Sequence, residues 1–178
     1  MVRKICVFCG SNKPKNNNEI ENEVKTLGKL LLDKKIDLVY GGAKIGLMGI
    51  IADTILLGGG YVTGIIPRIL SKKEIINEDV SKLIIVETMH ERKKKMYDIS
   101  DAFIVLPGGI GTLEEFSEIL TWKILGIKNK PIYVLNLNGY YDFLINQFKV
   151  MKENNFLYSD IYKEITIIKN IKELEKLI

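Results

Sequence analysis

The sequence predicts an α/β fold, a parallel sheet covered by helices on both faces and built by a single domain. Three observations predict it. Short apolar runs of strand length alternate with longer stretches of helical periodicity, the strand-length runs are apolar at successive positions rather than at every second one, and several of them end in glycine turns. At 178 residues the chain suits one domain with a sizeable core.

The first strand is residues 5–9, ending at Cys9-Gly10-Ser11, a turn of the kind that often faces a ligand. A polar segment leads into a helix over about 19–34, with Val24, Leu27, Leu30 and Leu31 at helical spacing. Residues 37–40 form the second strand. A second glycine turn follows, running from Gly41 and Gly42 through Ala43 and Gly46 to Gly49. It enters a helix over 47–57 that is apolar nearly all round and therefore expected to be buried. Three glycines, 58–60, end that helix. Residues 61–66 are the third strand, and a connection containing Pro67 leads through Glu74 to a fourth at 83–86. A helix over 89–100 precedes the central strand, 102–106, which runs into Pro107-Gly108-Gly109-Ile110-Gly111-Thr112-Leu113-Glu114-Glu115 and a further amphipathic helix. The chain closes with a strand at 131–135, a helix over 140–154, a strand at 164–168 and a helix over 171–177.

In such a doubly wound, Rossmann-like sheet the ligand crevice lies at the carboxyl ends of the strands. The loops after Cys9, Tyr40 and Leu106 all lie on that edge and all carry glycine, which makes Gly10, Ser11, Gly41 and Gly42 ligand-facing candidates. The turn at 107–112 is the strongest of the three. Its glycines let the backbone approach a ligand closely, and the N–H groups of the first helical turn offer an anion site, so the turn suits a phosphate. Glu115 has two readings. It either returns to the Thr112 N–H as the acid of a capping box, or faces the ligand. Glu114 makes the same turn more acidic than one cap requires.

On the helix from Met89, the residues Met89, Met96, Ile99 and Ser100 share one face, with Arg92 at its centre. An arginine on an inward stripe needs an anion, which is either a ligand or a core carboxylate such as Asp101; a snorkelling side chain is a third reading. Lys93, Lys94 and Lys95 run from the edge of that face to its far side, the place of a solvated charge run. Cys6 and Cys9 form C-x-x-C, but residues three apart on a strand point to opposite faces and no second ligand pair follows, so no metal site is expected. His90 is the only histidine.

Apolar residues at 47% and charged residues at 27% fit a soluble globular protein. No apolar run reaches the ~18–20 residues that span a bilayer, and the N-terminus leads straight into a strand, so the expectation is a cytoplasmic protein with no membrane partner. A net charge of +4 suits anionic ligands, but the lysines are scattered over many helices and form no nucleic-acid stripe.

The run P-G-G-x-G-T-x-x-E at Pro107 to Glu115 resembles the signature of the LOG family of cytokinin-activating nucleoside 5′-monophosphate phosphoribohydrolases, long labelled lysine decarboxylases. Met89-His90-Glu91-Arg92-Lys93 is similar to that family's M-H-x-R-K. Gly41 to Gly49 is similar to its G-G-G-x-x-G-L-M-G, with Ala43 in place of the third glycine. The resemblance covers most of the chain. It implies Arg92 and Glu115 as catalytic residues and a nucleoside 5′-monophosphate as substrate. The implied substrate contacts are Glu74, Arg92, Lys93, the backbone of Gly108, Gly109, Ile110, Gly111 and Thr112, then Glu114 and Thr121. The implied reaction, hydrolysis of the N-glycosidic bond to free base and ribose 5-phosphate, needs no cofactor and no metal.

The resemblance also implies a homodimer. On the helix after the glycine turn, Leu113, Phe116, Leu120 and Ile124 make one apolar face and Ile119 and Trp122 lie nearly opposite, so the second face meets either an outer layer of the same chain or a second subunit. Among rival readings, a non-catalytic nucleotide- or cofactor-binding protein of the same architecture stands nearest. A dinucleotide oxidoreductase lacks the third glycine of its motif, since Leu113 and Glu114 stand there. Lysine decarboxylation ordinarily needs an electron sink such as pyridoxal phosphate, and no lysine stands out as its Schiff-base partner.

Overall fold

The computed structural model describes residues 2–15, 18–71, 75–157 and 159–178. Seven strands form one all-parallel sheet: β1 (Lys4–Phe8), β2 (Asp37–Tyr40), β3 (Val62–Pro67), β4 (Lys82–Val86), β5 (Ala102–Val105), β6 (Ile132–Leu135) and β7 (Thr166–Ile168). Their spatial order is β4-β3-β2-β1-β5-β6-β7. The helices are α1 (Asn18–Asp33), α2 (Gly46–Leu57), the single turn α3 (Arg68–Ser71), α4 (Met89–Ile99), α5 (Ile110–Ile124), α6 (Asp142–Glu153), the short α7 (Ile161–Glu164) and α8 (Ile171–Glu175).

Period-two alternation along each strand sorts the apolar side chains into two cores. Ile5, Val7, Leu38, Tyr40, Ala102, Ile104, Tyr133 and Leu135 face α1, α2 and α8. Their neighbours Cys6, Phe8, Val39, Phe103, Val105, Ile132 and Val134 face α4, α5, α6 and α7. Both central strands are therefore buried on two sides, the reason they read as unbroken apolar runs. Cys6 and Cys9 fall into opposite cores, and burial pushes both thiols above their ordinary range.

Several elements differ from the sequence reading. Pro67 closes β3, pairing in register with Val86. The helix expected over 47–57 buries only a stripe, Leu47, Ile51, Ala52 and Ile55, against the sheet and α1, and leaves Leu57 89% exposed. The helix expected from Tyr140 begins at Asp142. Before it, the Asn136 side chain accepts from the Tyr141 N–H (2.7 Å) and donates to Asp142 (2.7 Å), which holds Tyr140 and Tyr141 in a turn.

Part of the second apolar face of α5 packs within its own chain, against the neighbouring α4 of the same helical layer. Ile119 is buried, and Trp122 packs edge-on to Tyr97 of α4 at 5.0 Å between ring centroids. Trp122 itself is only partly buried and Leu125 is 66% exposed, so this end of the helix keeps an open apolar surface. No described helix is long and apolar enough to cross a membrane, and no group of described His, Cys, Asp and Glu side chains could hold a metal ion.

Candidate active site

The sheet reverses its winding between β1 and β5, so the loops leaving β1, β2 and β5 open onto one crevice. Gly10 is drawn to the β5 turn by its N–H bond to the Pro107 carbonyl (3.1 Å), and its own carbonyl accepts from the Leu47 N–H of α2 (3.1 Å). The three glycine loops are therefore joined by main-chain bonds.

Helix α5 starts at Ile110 with Gly109 as N-cap, and its first intrahelical bond is Leu113 N–H to Gly109 C=O (3.1 Å). The amides of Ile110, Gly111 and Thr112 have no acceptor within the helix. Thr112 thus lies inside the first turn, three residues beyond the cap. The capping-box reading of Thr112 and Glu115 fails for that reason, because Glu115 is too far along the helix to reach an N-cap amide. Gly108 is required by close approach: a Cβ there would stand 2.1 Å from the Thr112 hydroxyl oxygen. At Gly109 and Gly111 an added Cβ would meet nothing within 4 Å. The chain itself does not need glycine at those two positions, whereas a ligand seated on the amides would.

Glu115 instead turns inward, 8% exposed, and its Oε1 lies 3.5 Å from Nη2 of Arg92, itself 9% exposed. Arg92 stands one turn into α4, whose start is fixed by the Thr88 hydroxyl accepting from the Glu91 N–H and by the Glu91 carboxylate accepting from the Glu87 N–H. The guanidinium also donates from Nε to the Ile65 carbonyl (3.1 Å) and from Nη2 to the Gly41 carbonyl (3.5 Å). Asp101, the alternative partner, is engaged elsewhere and accepts from the Arg3 and Lys4 N–H groups (2.8 and 2.9 Å). Gly41 makes room for the arginine, since a Cβ there would come within 2.2 Å of Nη2. Positive φ falls at Gly42 (80°) and Gly46 (60°), not at Ala43, so alanine there is no obstacle.

Burial pushes the Glu115 carboxyl up to about 7. Arg92 opposes the shift, while Glu114 and Glu118 reinforce it. A group so placed exchanges its proton near neutrality, as a general acid or base must.

These residues line a cavity of about 450 Å³. Ser11, Gly41, the α5 start from Gly109 to Thr112, Arg92, Glu114 and Glu115 form its polar side; Ile45, Met48, Ile66, Leu70, Ile75 and Met89 form its apolar side. Sequence reasoning missed the apolar wall, which comes from four separate segments with no shared local signal. Gly10 and Gly108 line a smaller adjoining hollow of about 290 Å³ with Tyr140. Gly42 stands behind the wall, its carbonyl accepting from the Asn77 N–H (2.9 Å).

Two further expected residues stand apart from the cavity, and another cannot be placed. Lys93 is not part of a solvated run. It is buried and ion-paired with Glu114 and with Glu118 (3.2 Å) on α5, whereas Lys94 and Lys95 are exposed. Thr121 sits on an exposed part of α5, roughly three turns from Ile110, and its hydroxyl donates to the Ser117 carbonyl (2.7 Å). Glu74 lies outside the described residues.

A family profile described as "possible lysine decarboxylase" matches residues 48–178. The chain is 44% identical over 174 residues to Arabidopsis thaliana cytokinin riboside 5′-monophosphate phosphoribohydrolase LOG3, covering 98% of this chain and 80% of that protein. The chain belongs to the LOG family. Within the family it is also 50% identical over 143 residues to the rice protein (Oryza sativa subsp. japonica) "probable cytokinin riboside 5′-monophosphate phosphoribohydrolase LOGL9", a match covering 80% of this chain and 63%, less than two thirds, of that one. Solved structures with the same fold include the molybdenum cofactor binding protein of Rippkaea orientalis, with a TM-score of 0.73 at 20% identity, covering 99% of this chain and 95% of the other. At that identity the likeness speaks for the architecture alone. The LOG family signature thus spans the two elements that meet in the cavity: its glycine run forms the start of α5 and its M-H-x-R-K segment the start of α4.

Proposed function

We propose that this protein is a nucleoside 5′-monophosphate phosphoribohydrolase, cleaving the N-glycosidic bond of AMP or an N6-substituted AMP to free base and ribose 5-phosphate. The observation that carries the reading is the buried Arg92–Glu115 pair in the wall of a cavity that also contains the open amides of Ile110, Gly111 and Thr112. The names of the LOG relatives support the substrate class. Amides suit the phosphate because they attract it without a mobile cation, and the apolar wall suits a purine ring and its substituents.

In the reaction the C1′–N bond breaks with its electrons leaving on the base, and positive charge builds on the ribose. The Glu115 carboxylate faces that charge, orients the attacking water and takes its proton as the oxygen bonds to C1′. A carboxyl with a pKa near 7 can hold that proton and then release it to the departing base or to solvent. Arg92 keeps Glu115 ionised when substrate is bound and holds the acid in one rotamer through its anchors on Ile65 and Gly41. Lys93 sets the position of Glu114 from behind the wall.

Incubation with a panel of nucleosides and their mono- and triphosphates, with free base measured by chromatography, tests the reading. Release of adenine from AMP, and not from ATP, is expected. Tight AMP binding without base release would make this a binding protein, and cadaverine formed from lysine would restore the older label. A homodimer belongs to the same reading. It would form through the helix bearing Ile119 and Trp122, where Trp122 is partly exposed, and a monomer mass by light scattering would reject it.

A further inference from the structure

The β5–α5 turn contains one peptide that little restrains. The plane between Gly108 and Gly109 turns on ψ of one glycine and φ of the next, so its reversal meets less steric resistance than that of any other peptide in the turn. Reversal would matter for an anion. In a trans peptide the C=O and N–H point in opposite directions, so a reversed plane would present the Gly108 carbonyl where the Gly109 N–H had been.

The structure supplies a restraint from outside the turn. The Tyr140 hydroxyl donates to the Gly108 carbonyl at 2.7 Å, drawing it to the side of the small hollow and away from the main cavity. The next residue does something different. The Tyr141 hydroxyl donates to the buried Leu106 carbonyl, also at 2.7 Å, but the amide of that peptide belongs to Pro107 and has no hydrogen to aim. With Gly10 N–H on the Pro107 carbonyl and Leu113 N–H on the Gly109 carbonyl, four successive carbonyls from Leu106 to Gly109 are occupied.

We propose that Tyr140 is a positioning residue for phosphate recognition: by holding the Gly108 carbonyl it aims the Gly109 N–H into the anion site beside the amides of Ile110, Gly111 and Thr112. Tyr141, in contrast, is a structural tie. The proposal rests on the reading that the substrate phosphate sits on this turn. Its ring half exposed, Tyr140 can lose its hydroxyl without leaving a cavity, and the two adjacent tyrosines act as controls for one another.

Calorimetric titration of wild type, Tyr140→Phe and Tyr141→Phe with ribose 5-phosphate, AMP and adenosine separates these roles without depending on turnover. Tyr140→Phe is expected to weaken ribose 5-phosphate and AMP by roughly five- to tenfold, to leave adenosine within about twofold, and to keep its melting temperature. Tyr141→Phe is expected to melt earlier, because the Leu106 carbonyl loses its partner, with all three affinities within about twofold of wild type. An unchanged ribose 5-phosphate affinity in Tyr140→Phe, an equal loss of adenosine, or equal losses in both variants would overturn the proposal while leaving the phosphate site standing. Failure of the wild type to bind ribose 5-phosphate would remove the phosphate site itself, and the proposal with it.

Discussion

The two faces of the sheet follow one plan and differ in one respect. On the face covered by α1, α2 and α8 the described core is built from apolar side chains such as Val24, Leu27, Leu31, Ile51 and Ile55. On the other face, at the carboxyl ends of the strands, Arg92, Lys93 and Glu115 are buried as well. Burying charge opposes folding unless every group is paired, and even a paired group is often no better than an apolar one of the same size. The comparison teaches that the first face maintains the fold, while the charged corner of the second is held in place at some expense of stability.

The largest expected effect tests that division directly. Glu115→Gln should lower kcat by about a hundredfold or more, the usual scale for loss of a positioned acid–base group, while AMP still binds. Undiminished release of base would take the carboxylate out of the chemistry. In the wild type the group must be ionised, so kcat/KM should rise as pH increases through about 7, and the Gln variant should lack that limb.

On the apolar face the expected loss is structural. Leu27→Ala removes a fully buried side chain and should lower unfolding free energy by about 2–4 kcal/mol in denaturant titration, with KM for AMP unchanged. A changed KM would show that the two faces are coupled.

The third effect concerns the stability of the charged corner. Because the Glu115 pKa in the fold, about 7, lies above its ordinary 4.5, the folded chain holds the proton where the unfolded chain has lost it. Stability from this group is present in full below about pH 4.5 and is lost as pH rises through 7. Glu115→Gln removes the penalty. Its melting temperature should match or exceed wild type at pH 8, by a stabilisation on the order of 3 kcal/mol at the upper limit, and the difference should shrink towards pH 4.5. A variant less stable than wild type at pH 8 would mean that the ion pair with Arg92 outweighs the burial. The smallest effect belongs to Gly111→Ala. Alanine in the first turn of α5 should stabilise the chain by about 0.5–1 kcal/mol, yet raise KM for AMP, since the new methyl group enters the space above the amides. An unchanged KM would place the phosphate elsewhere.

Much of this was legible in the chain. Apolar runs, helical periodicity and glycine turns located every strand and most helices to within a few residues, because those signals are local. Tyr140 and Tyr141 were read as helix because the Asn136 bonds that hold them in a turn compete with helix start and leave no periodic trace. Lys93 was read as solvated because its partners, Glu114 and Glu118, lie on another helix.

By itself the sequence determined the alternation of strands and helices, the three glycine loops on one edge, and Arg92 and Glu115 as the residues worth watching. Only the tertiary structure decided that Glu115 faces an arginine rather than a helix cap, that Ile119 is covered by its own chain, and that a tyrosine 32 residues along reaches the Gly108 carbonyl. The reason is physical. Periodicity and turn chemistry act between near neighbours, whereas the partner of a buried charge or a main-chain carbonyl is chosen by packing among segments far apart in the chain.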